Sequence, residues 1–103
     1  MTEHVFSLEG RTAVITGGTT GLGLAIAECM VKAGARVAVL SRRTKEEGQS
    51  ALKEMGEKAV FYHHDITDTG HAPELADQII REMGPVTILV NNAGNHCKKF
   101  IED

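Results

Sequence analysis

The feature that most limits what this chain can fold into is a glycine-spaced turn set between two periodic segments. Thr12 to Thr16 (TAVIT) is a compact, β-branched apolar run, the pattern of a strand buried on both faces. It leads directly into Thr16-Gly17-Gly18-Thr19-Thr20-Gly21-Leu22-Gly23. Leu22, Ala25, Ile26, Cys29, Met30 and Ala33 then recur at three- and four-residue steps up to Gly34, which predicts a helix with those residues on its packed face. A strand that becomes a helix without an intervening loop gathers the free N–H groups of the first helical turn at one point. With the helix dipole they make an anion site that needs no basic side chain. Gly17 permits the tight turn, Gly21 lets the backbone approach a pyrophosphate, and Gly23 lets the helix lie close to the strand. Gly17, Thr19, Thr20, Gly21, Leu22 and Gly23 are therefore the candidate phosphate-binding residues, with Thr20 and Leu22 as backbone donors. A glycine pattern alone is weak, but the strand before this one and the helix after it make it specific.

The rest of the chain repeats the alternation. Arg36 to Leu40 (RVAVL) reads as a second strand. Thr44 to Met55 reads as a weaker helix interrupted by Gly48, with an apolar stripe at Ala51, Leu52 and Met55. Lys58 to His63 (KAVFYH) is a third strand, and a helix begins near Pro73 with Leu75, Ile79 and Met83 on its buried side. Gly84-Pro85 stops it, and Val86 to Val90 (VTILV) is a fourth, continuously apolar strand. Strands joined by helical crossovers predict an α/β fold with a parallel sheet and right-handed connections. No repeat, low-complexity tract or linker divides residues 1–103, so one domain is expected.

Composition removes several function classes. A net charge of −3 gives no general pull toward nucleic acid or an anionic membrane, so anion binding must come from local geometry. No apolar run approaches the roughly 20 residues of a membrane span. The opening MTEHVFSLEG carries two acids and no continuous apolar segment, unlike a signal or transit peptide, so a cytoplasmic location is expected. Cys29 and Cys97 are the only cysteines. They form no C-x-x-C pair, and Cys29 is expected to be a small core hydrophobe. His63, His64, His71, His96 and Cys97 do not read as a metal site, because adjacent histidines on a strand point to opposite faces.

The spacing T-G-x-x-x-G-x-G, the entry SLEGRTAVITG and the Asn91-Asn92-Ala93-Gly94 turn directly after the fourth strand together resemble the short-chain dehydrogenases/reductases. The resemblance covers essentially the whole chain. It implies a Rossmann-type doubly wound sheet, of which this chain holds four strands and three helices, and an NAD(P)(H)-dependent hydride transfer between nicotinamide and an alcohol or carbonyl. NAD-selective folds place an acid at the end of strand two, on the ribose hydroxyls. Ser41 stands there instead, followed by Arg42 and Arg43, a small hydroxyl and two cations suited to a 2′-phosphate, so NADP is favoured over NAD. By itself Asp65 reads as an Asp-x-Thr turn residue. The resemblance implies that its carboxylate meets the adenine amino group and that Ile66 adds backbone contact. It likewise implies that Asn91 faces the adenosine ribose, that Asn92 holds neighbouring strands, and that Ala93 and Gly94 let the cofactor lie close to the sheet.

The family's chemistry uses a Ser and a Tyr-x-x-x-Lys pair. The only tyrosine is Tyr62, with Ile66 four residues later, so no catalytic residue is assigned. The resemblance implies that those residues lie beyond Asp103, that the chain is the cofactor-binding part of a longer enzyme, and that the enzyme is a dimer or tetramer. The fourth strand is then expected as a hydrophobic edge. His96, Cys97 and Lys98 would lie near the nicotinamide as surface loop, and the tail NHCKKFIED resembles members acting on sugars or polyols. The competing reading is a self-sufficient, non-catalytic nucleotide-binding or assembly module.

Overall fold

The computed structural model describes residues 7–17, 19, 21–65 and 67–92. The order is β1 (Thr12–Thr16), α1 (Gly21–Lys32), β2 (Arg36–Ser41), α2 (Lys45–Ala51), β3 (Ala59–His63), α3 (Ala72–Met83) and β4 (Ile88–Asn91), with short 3-10 turns at Lys53–Lys58 and Thr69–His71. All strand pairs are parallel, in the order β3-β2-β1-β4. The chain therefore winds outward from β1 to β3, then crosses back to place β4 on the other side of β1. The crevice at that reversal is where open α/β sheets bind ligands.

Helices cover both faces. On one, Ala13, Ile15, Val37, Val39 and Phe61 pack with Ala27 of α1 and with Leu52. On the other, Val14, Ala38, Leu40 and Tyr62 pack with Ile79 and Met83 of α3. Alternate side chains of β1 and β2 enter opposite cores, so both strands read as unbroken apolar runs. Among the described residues no helix is long and apolar enough to cross a membrane.

The packed face of α1 is the expected one only in part: Ile26 and Met30 lie against the core, but other positions depart from it. Leu22 is 69% exposed, and Ala25 and Cys29 are exposed as well, whereas Gly23 and Ala27 are buried. Cys29 is thus a surface thiol and no part of the core. The helix is apolar nearly all round, so periodicity could not select a face. Close approach to β1 selects it: the small Gly23 and Ala27 are buried, and Leu24, Ile26, Met30 and Val31 pack around them.

The helix α2 ends at Ala51, and the Lys53–Lys58 turn replaces its expected last part. Its start is closed by a capping box: Glu47 N–H donates to Thr44 Oγ1 and Thr44 N–H to Glu47 Oε1, both at 3.2 Å. Gly48 is buried, and a β-carbon there would overlap three atoms of the Phe61 ring. Gly48→Ala therefore sets two effects against each other. Helix propensity favours alanine by about 1 kcal/mol, while overpacking costs about 1–3 kcal/mol. The net expectation is a loss near 1 kcal/mol, seen as a melting temperature lowered by about 4–8 °C. A raised melting temperature would mean that α2 does not pack on Phe61.

The helix α3 carries Pro73 in its first turn, and its last carbonyls are held from the sheet. Thr12 Oγ1 donates to Met83 O at 3.0 Å, and the Arg36 guanidinium donates to Met83 O at 3.2 Å and Glu82 O at 3.3 Å. A guanidinium there also complements the helix dipole. Tyr62 OH donates to Glu82 Oε1 at 2.6 Å. Burial, and then that bond, push the Tyr62 hydroxyl up, which keeps it a donor. After Pro85, which has no N–H for a ladder, the Thr87 N–H bonds the Thr12 carbonyl at 3.0 Å and β4 begins at Ile88 rather than Val86. Leu89, 70% exposed, lies on this outer strand.

Candidate cofactor-binding site

The strands bring their C-terminal ends together at the crevice. At the end of β1, Gly17 has φ +72°, a left-handed conformation costly for any other residue, and its N–H donates to Leu40 O at 2.7 Å. That bond ties the turn to the end of β2. Gly21, at φ +56°, opens α1, and a β-carbon there would meet no atom within 4 Å. The backbone at Gly21 is thus uncovered on the side a β-carbon would occupy. Gly23 faces the opposite way: a β-carbon there would stand 2.5 Å from Asn92 Nδ2 and closer still to the Gly17 carbonyl oxygen. Thr19 is 5% exposed, inside the turn.

The ends of β1 and β4 are sewn together. Thr16 Oγ1 donates to Asn91 Oδ1 at 3.1 Å and accepts from the Asn92 N–H at 3.0 Å. Asn92 Nδ2 donates to Gly17 O at 3.3 Å. Gly17, Gly23 and Asn92 therefore meet at one point, a convergence set by the register Thr16 to Asn91. No periodicity in the sequence encodes that register. Thr16 was accordingly missed as a site-building residue.

At the end of β2, Ser41 is half-buried and its Oγ accepts from the Arg43 N–H at 3.1 Å. Arg42 and Arg43 are exposed, between Ser41 and the cap of α2. At the end of β3, the His64 N–H donates to Ser41 O at 2.9 Å. Asp65 Oδ1 accepts from the Thr67 N–H at 3.0 Å and from Thr67 Oγ1 at 2.8 Å. These bonds, backbone first, hold its carboxyl below the usual range, helped by the charges of Arg42 and His64. Asp65 thus forms the Asp-x-Thr turn, and both Thr67 bonds fall on one carboxylate oxygen. Thr20, Ile66, Ala93, Gly94, His96, Cys97 and Lys98 lie outside the described residues.

His63 and His64 border the same depression as Asp68 and His71, because β3 ends at His63 and the alternation of faces stops there. His71 Nδ1 donates to Asp68 Oδ2 at 2.7 Å on the surface. That bond raises the His71 pKa and lowers that of Asp68. Among the described residues no group of three or more His, Cys, Asp or Glu is placed to hold a metal ion.

The model of the short chain dehydrogenase family matches residues 11–103. The chain belongs to that family. It is 43% identical over 98 residues to an NADP-dependent (R)-specific alcohol dehydrogenase of Lentilactobacillus kefiri, covering 93% of this chain and 38% of that protein. It is 37% identical over 101 residues to a gluconate 5-dehydrogenase of Gluconobacter oxydans, covering 96% and 40%. The crystal structure of a 2-keto-3-deoxy-D-gluconate dehydrogenase from Streptococcus agalactiae superposes with a TM-score of 0.80 at 40% identity, covering 90% of this chain and 36% of that one. The chain thus spans two fifths or less of the length of these short chain dehydrogenases. The family consists of NAD(P)-binding oxidoreductases, and the doubly wound sheet is its fold.

Proposed function

We propose that the chain is the NADP(H)-binding part of an oxidoreductase that moves hydride between nicotinamide and an alcohol or carbonyl, with sugars or polyols as the substrate class. The observation that carries this reading is the turn at the C-terminal end of β1, where Gly17 takes a left-handed φ, Gly21 is uncovered and Gly23 is packed against Gly17 and Asn92. Phosphate oxygens would be held by the first-turn N–H groups of α1, a helix N-terminus being suited to an anion. Ser41 and Arg42 would take a 2′-phosphate, Asp65 with Ile66 the adenine and Asn91 the adenosine ribose, while Ala93 and Gly94 would let the cofactor lie close to the sheet. When bound, the nicotinamide supplies the hydride acceptor or donor. The acid–base residues of the family pattern are assigned to the remainder of a full-length protein, since Tyr62 is committed to Glu82. A cytoplasmic dimer or tetramer acting on small molecules, without nucleic acid or membrane, belongs to the same reading. The names of the Lentilactobacillus and Gluconobacter relatives support the cofactor and the substrate class respectively.

Calorimetric titration with NADPH and NADH tests it. NADPH is expected to bind more tightly, and Arg42→Ala to weaken NADPH alone by about tenfold, the loss of a charge-assisted bond. Equal weakening of both cofactors, or binding of neither, would remove the assignment.

A further inference from the structure

The segment Ser41-Arg42-Arg43 is a short surface run between the end of β2 and the cap of α2, so its arginines can choose a phosphate only if its backbone is held. Three bonds hold it. Arg43 N–H donates to Ser41 Oγ at 3.1 Å, and His64 N–H donates to Ser41 O at 2.9 Å. The third comes from a side chain: His63 Nδ1 lies 2.8 Å from Arg43 O. A carbonyl only accepts, so Nδ1 carries the proton and is the donor. His63 is the register partner of Ser41 in the β2–β3 ladder, which carries its ring to the strand end beneath the run. It is exposed and belongs to neither core.

We infer that His63 is a positioning residue for cofactor selection, fixing the carbonyl of Arg43 and thereby the direction in which Arg42 meets the 2′-phosphate. The inference rests on the reading that this segment faces the adenosine ribose. Two residues beyond His63, Asp65 feels the charge of Arg42, which places the held segment and the adenine-side carboxylate in one neighbourhood.

The amide nitrogen of asparagine stands at nearly the same place as histidine Nδ1, so His63→Asn keeps a donor, while His63→Phe keeps the ring and removes it. His63→Val is a second donorless side chain, suited to a strand end. Calorimetry of the full chain with NADPH and with NADH compares these with Arg42→Ala, and thermal melts follow folding. His63→Phe and His63→Val are expected to weaken NADPH about fivefold, the worth of one net hydrogen bond, with NADH within about twofold. His63→Asn should restore NADPH binding, and His63→Phe added to Arg42→Ala should cause no further loss. Equal weakening of both cofactors, no change in either, or failure of His63→Asn to restore binding overturns the inference. If Arg42→Ala is selective and His63→Phe is not, only the role of His63 falls. If Arg42→Ala is unselective or the parent binds neither cofactor, the underlying reading falls and takes this inference with it.

Discussion

Phe61→Ala is expected to lower stability by about 3–5 kcal/mol, the range for removing a large aromatic from a packed core. Phe61 is 8% exposed and lies in the core cluster with Leu52, Val37 and Val39. Its ring also meets Gly48, so the substitution opens a cavity between sheet and helix that a short, capped helix can only partly close. Natural domains of this size hold about 5–15 kcal/mol in total, so much of the folded population would be lost on mild heating. Urea unfolding checks this: the midpoint should fall with little change in slope. A loss under about 1 kcal/mol would mean that α2 does not seal this face.

Gly23→Ala is expected to lower stability by about 2 kcal/mol and to abolish cofactor binding. Two atoms resist a β-carbon at this position. The Asn92 amide stands 2.5 Å away, and the Gly17 carbonyl is closer. The amide could rotate only by releasing its bond to Gly17 O. The carbonyl is backbone of the turn, whose N–H is fixed on Leu40 O. Overpacking of about 1–3 kcal/mol and a lost hydrogen bond of about 1 kcal/mol exceed the gain of about 1 kcal/mol in helix propensity. Any relief moves α1 away from β1, and with it the N–H groups that would face the phosphates. Unfolding together with NADPH calorimetry separates the two consequences. Wild-type stability with intact NADPH binding would show that the close approach at Gly23 is dispensable.

Most of the fold and part of the site were legible in the sequence. Strand, glycine turn and helix are consecutive in the chain, so β1, the turn and α1 follow from local steric rules, as do β2, β3 and the Pro73 start of α3. The Asp65-x-Thr67 turn was legible for the same reason. The errors concern relations between distant residues. Leu22, Ala25 and Cys29 were expected to be packed and are exposed, since a helix apolar nearly all round leaves its buried face to be chosen by contact with β1. Gly48 looked like a helix breaker and is instead where α2 approaches Phe61.

The sequence by itself determined the alternation of strands and helices, the glycine turn between β1 and α1 and the charge at the end of β2, because each depends on neighbours in the chain. Tertiary structure alone decided that β4 pairs with β1, that Thr16 and Asn92 lock the turn to that strand, and that His63 supports the carbonyl of Arg43. Those contacts join residues separated by 20 to 76 positions. Such pairings come from register and packing, which local propensity does not encode.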